Sequence, residues 1–376
     1  IKLKGAASYG EYVYANNPIY VTKPFLAPLK EYTALLEDIW DCAILTNDGQ
    51  FVKQFERQIC EKVGVSNYTA FSSGTTALQA AIKALELNGE IITSPFTWIA
   101  TISAIKMGNC TPIFCDIDKN TLNIDIKRIE NYITNKTVGI MPVHVFGNPC
   151  DIDGIKEIAD RYNLKVIYDA AHAIGSEYGG KSILSYGDIS ALSTHATKLL
   201  NSGEGGGCVA KNKMITDRLR SIRFFGHNKD KSDILFDGLN GKLTELQSAL
   251  GIVNIKYLDE VIADRKIKYK YYYSALSGNP ALRFQEIKFG ATNYSYFPLI
   301  LENKKILFKI IDKLNNHDIY PRRYFYPSVN IFKNIVNSVE RKVAENIANH
   351  ILCLPLYYDL NLSVMDKIIN IINKEI

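Results

Sequence analysis

Apolar residues along this chain follow two periods that keep exchanging places. Leu35, Leu36 and Ile39, three and four apart, predict a helix from Tyr32 to Trp40. After a turn at Thr46–Gly49, the stretch from Phe51 to Val63 carries the same amphipathic spacing. Val65–Phe71 predicts a short strand running into Ser72-Ser73-Gly74-Thr75-Thr76, and then a helix with Leu78, Ala81, Ile82 and Leu85 on one face. Further strands are expected at Glu90–Thr93, Thr111–Asp118, Thr137–Val145, Leu164–His172 and Ile189–Leu192, with a helix at Ile155–Tyr162 and an apolar run again at Cys208–Ala210. Strands and helices that alternate over short loops predict a parallel sheet covered by helices.

The C-terminal part reads differently. Thr216–Arg223 predicts a basic helix, Leu243–Tyr257 an apolar one, and Val261–Tyr273 a long helix dense in Lys, Arg and Tyr. A strand at Asn293–Ile300, a helix at Lys304–Asn316 and an extended aromatic-basic segment at Ile319–Pro327 predict a small α/β domain. Closing helices from Val339 to Ile376 flank Cys353–Tyr357. Residues 1–28, rich in Tyr, Asn and Pro, show no period and read as an irregular arm. The expected division is therefore an arm (1–28), a large domain (29–257) and a small C-terminal domain (258–376). No repeat or low-complexity tract interrupts it.

Composition narrows the classes. With 47% hydrophobic and 22% charged residues, the 376-residue chain has the material for a large soluble core. A net charge of +5 is too small to argue for nucleic acid, although it suits a small anion. The seven cysteines are scattered without a CxxC pair, so neither a disulfide framework nor a metal site is expected. No stretch approaches membrane-spanning length and no signal-peptide pattern opens the chain, so a cytoplasmic protein is expected.

Chemistry gathers where strands end. Lys198 follows the Ile189–Leu192 strand and precedes the glycine-rich Gly203-Glu-Gly-Gly-Gly207. A lysine held between buried strands loses hydration, which lowers its pKa and gives an amine able to form a Schiff base with a carbonyl compound or with pyridoxal phosphate (PLP). A surface lysine on a turn is the plainer alternative. Ser72–Thr76, between a strand and a helix, suits a phosphate, or simply an N-cap. Trp98 stacks on a flat cofactor or packs in the core. Asp169 ends an apolar strand, where its charge is costly unless paired. A protonated pyridine nitrogen would pair it, whereas a helix cap would use it more simply. His144 reads as a satisfied buried histidine, and Arg218, Arg220 and Arg223 as a solvated face or a diphosphate contact.

Together Ser72–Thr76, Ser94–Trp98, Tyr168–His172, Ser193–Lys198 and Gly203–Gly206 resemble the DegT/DnrJ/StrS sugar aminotransferases, over about Val21 to Leu360. The resemblance implies the aspartate-aminotransferase fold (PLP fold type I) and a homodimer that aminates a nucleotide-linked keto-sugar. It implies that Lys198 links to PLP and moves the proton, and that Asp169 holds the pyridine nitrogen protonated. His172 would contact the ring hydroxyl and Trp98 the ring face. Ser73, Gly74, Thr75 and Ser193 would hold the phosphate, with Asn240 reaching the cofactor of the partner subunit. His195, Arg322 and Tyr324 would meet the sugar nucleotide. Thr194 replaces an aromatic residue found in many members. Relatives with histidine in place of Lys198 dehydrate sugars instead of aminating them.

The expected reaction is transfer of the amino group of L-glutamate to a dTDP-linked 4-keto-6-deoxyhexose, for surface polysaccharide. A 3-aminotransferase, a PLP-dependent dehydratase and a non-catalytic regulator that keeps the fold are the alternatives.

Overall fold

The structure, a computed structural model, describes residues 18–376, so residues 1–17 of the expected arm lie outside the described residues. Among the described residues, seven short strands build the main sheet: β1 (Thr69–Phe71), β2 (Glu90–Thr93), β3 (Thr111–Phe114), β4 (Thr137–Met141), β5 (Lys165–Asp169), β6 (Ile189–Ser193) and β7 (Gly206–Ala210). Their order across the sheet is β1-β7-β6-β5-β4-β2-β3, and β7 alone runs against the others. Alternation along each strand divides the core in two. Tyr168 and Leu192 join a cluster with Phe55, Ile59 and Ile252, while Ile167 and Ala191 join Phe71, Leu78, Ile82 and Leu219 on the other face.

The helices that cover these faces are α1 (Leu29–Cys42), α2 (Gln50–Val63), α3 (Gly74–Ala84), α4 (Ile99–Met107), α5 (Ile152–Tyr162), α6 (Lys213–Arg223) and α7 (Glu245–Ile255). Local signals set several of their ends. Gly64 (φ 67°) closes α2 in the left-handed conformation, and Asp151 and Asn212 cap α5 and α6. Three strands are shorter than their apolar runs. β3 stops at Phe114 because Asp116 turns away to accept the N–H groups of Val343 and Ala344. β4 stops before Pro142, which has no N–H for a ladder. β5 stops at Asp169, whose carboxylate accepts the Ala171 N–H in a turn.

The chain continues through α8 (Leu258–Leu276), β8 (Leu282–Phe284), β9 (Phe297–Leu301), α9 (Lys304–Asn315), α10 (Lys342–His350), β10 (Ile351–Leu354) and α11 (Leu362–Glu375). An antiparallel sheet β8-β9-β10 packs with these helices around Tyr272, Phe297, Leu307, Ile310 and Ile368. Here the structure corrects the expected strand–helix–strand unit. The partners of β9 are Leu282–Phe284, which the apolar pattern does not mark, and Ile351–Leu354, which lies between the closing helices. Of Ile319–Pro327, only Ile319–Tyr320 is a strand, and it pairs in parallel with Ile19–Tyr20 of the arm. Pro321 and Pro327 remove N–H groups that a longer ladder would need. All seven cysteines are free. No described helix is long and apolar enough to cross a membrane, and no group of described residues could hold a metal ion.

Candidate active site

The carboxyl ends of β1, β2, β5 and β6 open on one cavity of about 370 Å³, which Tyr296, Arg322, Tyr324 and Phe325 also line. Every residue chosen from the sequence except Asn240 lines it: Ser73, Gly74, Thr75, Trp98, Asp169, His172, Ser193, His195, Lys198, Arg322 and Tyr324.

Lys198 hangs in the loop that joins β6 to the antiparallel β7. The loop is braced from within. Thr194 N–H donates to the Gly205 carbonyl (2.9 Å), Ala196 N–H to Gly203 (2.8 Å) and Ser202 N–H to Thr194 (2.8 Å). The Thr194 and Ser202 hydroxyls meet at 2.7 Å, so the non-aromatic residue at 194 serves the loop. Burial lowers the Lys198 amine to about 8, against the pull of Asp169 and with help from the positive Arg322.

Asp169 is 5% exposed. Its Oδ2 accepts from Thr101 Oγ1 at 2.7 Å and its Oδ1 from the Ala171 N–H at 3.1 Å. Burial raises its pKa, while Thr101, Ala171 and the Lys198 charge oppose that rise. This aspartate does brace a turn, yet it also faces the cavity. His172 is held neutral, well below its ordinary pKa, by burial and by Lys198. Its ring stacks on Phe325 (5.9 Å) and Phe146 (6.2 Å), and its carbonyl accepts from Asn293 Nδ2 and Ser295 Oγ. Its Nδ1 is buried without a hydrogen-bond partner among the described residues, which marks a place for a polar atom of a ligand.

In Ser72–Thr76 the N-cap is observed directly. Ser73 caps α3, accepting the Thr76 N–H while the Thr76 hydroxyl accepts the Ser73 N–H. The N–H groups of Gly74 and Thr75 remain as first-turn donors for an anion. Two glycines let this turn close on its neighbours. A Cβ at Gly74 would meet Ser193 Cβ at 2.9 Å, and one at Gly206 would meet the Gly74 nitrogen at 2.5 Å.

Trp98 is 53% exposed at the start of α4, so it is no core residue; Phe96 takes that place, fully buried against Phe146 and Phe325. The Arg322 guanidinium lies 5.7 Å from the Trp98 ring and 4.5 Å from that of Tyr324. His195 stands near the mouth, with Nδ1 2.9 Å from Thr197 Oγ1 and Nε2 3.6 Å from Glu204. Asn240 is exposed between α6 and α7, its Oδ1 accepting from Lys242 Nζ at 2.6 Å, away from this chain's cavity.

Sequence reasoning missed Thr101, Tyr296 and Phe325. Thr97 and Thr101, four apart across the start of α4 with hydroxyls 2.7 Å apart, were the one local signal. Two other expectations change. His144 is wholly buried, stacked on Tyr168 and drawn down to about 3 by burial, but only half satisfied: Nδ1 accepts the Cys150 N–H and Nε2 has no partner among the described residues. The arginines of α6 offer no diphosphate contact in this cavity. Arg218 pairs with Glu86, and Arg223 is buried against Glu56 and Asp48.

The model of the DegT/DnrJ/EryC1/StrS aminotransferase family matches residues 29–373. A dTDP-4-amino-4,6-dideoxy-D-glucose transaminase of Shigella dysenteriae is 38% identical over 367 residues, covering 95% of this chain and 99% of its own. The Escherichia coli protein of that name is 37% identical, covering 93% and 96%. Among solved structures, DesI, crystallised in the presence of its TDP-sugar product, aligns with a TM-score of 0.90 and 26% identity over 96% of this chain and 93% of its own.

Proposed function

Because the chain belongs to the DegT/DnrJ/EryC1/StrS aminotransferase family, and is a PLP-dependent aminotransferase of fold type I, we propose that it converts a dTDP-linked 4-keto-6-deoxyhexose to the 4-amino sugar, with L-glutamate as amine donor. The relatives named for the 4-amino product support C4 over C3. Lys198 favours amination over dehydration, and the joint presence of Lys198 and Asp169 favours an enzyme over a silent paralogue. We place the work in a homodimer whose Asn240 serves the partner subunit, in the cytoplasm, where free thiols persist. The large domain (29–257) would carry the cofactor and the small one (258–376) the wall at Arg322 and Tyr324.

The residues suit the cofactor on chemical grounds. The unpartnered His172 Nδ1 suits a ring hydroxyl, the N–H groups at Gly74 and Thr75 with Ser193 suit a phosphate, and Asp169 suits a protonated ring nitrogen. When bound, PLP supplies an electron sink for the substrate carbon. Lys198 is the amine that would bind the cofactor covalently. Its neutral Nζ, once released, would take the proton from one carbon and return it to another. Asp169, whose ionised form Thr101 and Ala171 favour against the effect of burial, would hold the ring nitrogen's proton. Trp98 would shield the open face from water, and Arg322, whose guanidinium lies against the Trp98 and Tyr324 rings, would receive an anionic group of substrate.

The observation that carries the reading is a partly neutral Lys198 and a buried Asp169 in one cavity. The test mixes purified protein with PLP, glutamate and dTDP-4-keto-6-deoxyglucose. Release of 2-oxoglutarate with an amine at C4 by NMR is expected. Absence of release eliminates this substrate, and an amine at C3 replaces the assignment. Lys198→Ala should abolish the absorbance band of the lysine-linked cofactor.

A further inference from the structure

β1 lies at the edge of the main sheet, so one row of its backbone groups has no neighbouring strand. Two charged side chains stand where another strand would be. Glu56, from α2, accepts the Ala70 N–H through Oε1 at 2.8 Å. Arg223, the last residue of α6, donates Nη1 to the Ala70 carbonyl at 3.0 Å and to the same Glu56 oxygen at 2.7 Å, and donates Nη2 to Asp48 at 2.8 Å. Arg223 is 4% exposed and Glu56 7%. Charged side chains are rarely so buried unless paired, and here each also satisfies a buried backbone group of Ala70 that an apolar side chain would leave without a partner.

The backbone of Arg223 lengthens the clamp. Its carbonyl accepts the Gly241 N–H at 3.0 Å, and the Gly241 carbonyl accepts the Ser72 N–H at 2.8 Å. Ser72 is two residues before Gly74, and Gly241 directly follows Asn240. One buried arginine thus grips the strand that delivers Ser73, Gly74 and Thr75, and also the segment that carries Asn240. Lys198, Asp169 and Trp98 come from β6, β5 and α4, away from this edge.

We propose that the Arg223–Glu56 pair is a positioning device for the cofactor phosphate, setting β1 so that Gly74, Thr75 and Ser193 converge on one anion, and tying that cradle to Asn240. The proposal rests on the reading of the cavity as the PLP site. It assigns the pair an effect on the phosphate end of the ligand and none on the ring end.

The test titrates cofactor-free wild type, Arg223→Lys and Glu56→Gln with PLP and with pyridoxal, which lacks the phosphate. Lysine keeps the charge, but a single ammonium cannot span Glu56, Asp48 and the Ala70 carbonyl. Glutamine keeps an acceptor for Ala70 and removes the ion pair, and it serves if the lysine variant fails to fold. The affinity for PLP should fall about tenfold in each folded variant, with pyridoxal affinity unchanged. Hydrogen exchange of residues 69–76 in the ligand-free protein should quicken, with no change around Lys198. Equal loss of both ligands, or unaltered PLP affinity in a folded variant, overturns the proposal. Wild type that does not bind PLP overturns the reading beneath it, and is distinguished by that control alone.

Discussion

Replacing Thr101 by valine removes one hydroxyl and nearly keeps the shape of the side chain. That hydroxyl is wholly buried on α4 and donates to Asp169 Oδ2 at 2.7 Å. A hydrogen bond to an ionised group contributes about 1.5–3 kcal/mol, which is roughly a 10- to 100-fold preference for the ionised carboxylate. Burial already pushes Asp169 above the ordinary carboxylate range, and Thr101 is the largest opposing influence. Its loss leaves the Ala171 N–H and the Lys198 charge. The sign follows directly: a weaker hold on the ionised form lets Asp169 take its proton at higher pH. The acid limb of the kcat/KM profile for glutamate should therefore move upward in Thr101→Val and stay in place in Thr101→Ser, which keeps the hydroxyl. The assay is the pH–rate profile of both variants, with circular dichroism to confirm their fold. An acid limb that is unmoved in Thr101→Val, or that moves downward, would refute the placement of Thr101 as support for Asp169.

Three further outcomes follow from the same geometry. The fall of the Lys198 amine from 10.5 to about 8 corresponds to at most roughly 3–4 kcal/mol, reduced where solvent reaches its partly exposed side chain. Between those values the unfolded chain holds a proton that the folded chain does not, so stability rises with pH through that window. Cofactor-free Lys198→Met should accordingly exceed wild type in urea unfolding at about pH 7, and the gap should close towards about pH 10. Gly206→Ala puts a Cβ 2.5 Å from the Gly74 nitrogen and 2.6 Å from the Leu192 carbonyl, backbone atoms that cannot step aside singly. A loss of about 1–3 kcal/mol of stability and a sharply weaker hold on PLP are expected by melting and titration, and unchanged PLP affinity would contradict the cradle. Lys198→Ala and Asn240→Ala chains, each inactive, should recover up to about a quarter of wild-type activity when mixed, because a two-fold dimer rebuilds one complete site in each heterodimer. Failure of the mixture would place Asn240 outside the partner's site.

Much of this site was legible because its residues follow strands in the sequence. Lys198, Asp169, Trp98 and Gly74 each come just after an apolar run, and in a sheet of mainly parallel strands such positions meet at one edge. Residues that arrive by tertiary routes carried no such mark. Thr101 meets Asp169 across 68 positions, and Phe325 reaches His172 from the C-terminal part of the chain. Arg223 looked like one more charge on a basic helix because its partner Glu56 stands 167 positions earlier. The helix end before Gly64 was legible locally, whereas the helices capped by Asp151 and Asn212 begin at Ile152 and Lys213, three residues before the starts expected from apolar spacing, and strand ends were not legible. A strand stops where the pairing or the next contact stops, as at Asp116, which turns to cap α10. The apolar run continues past that point because the loop beyond is buried as well.

The reversed strand β7 explains why these parts stay in register with one another. A parallel crossover after β6 would carry Lys198 off on a long connection, with a helix between it and the sheet. The antiparallel return confines it to a loop whose two ends, Ser193 and Gly206, are paired directly. Gly206 is also paired with Phe71, three residues before Gly74. One glycine therefore sits between the strand that ends in the Ser193 hydroxyl and the strand that leads into the α3 N-terminus. A slip of one residue in either pairing would turn Ser193 or Ser73 to the opposite face, so strand register keeps the Ser193 hydroxyl beside the α3 N-terminus. The two interactions that fix the free side of β1, Glu56 and Arg223 on Ala70, complete the same constraint from the edge. The cavity is thus set by strand register on one side and by a buried ion pair on the other, and perturbing each should separate ring binding from phosphate binding.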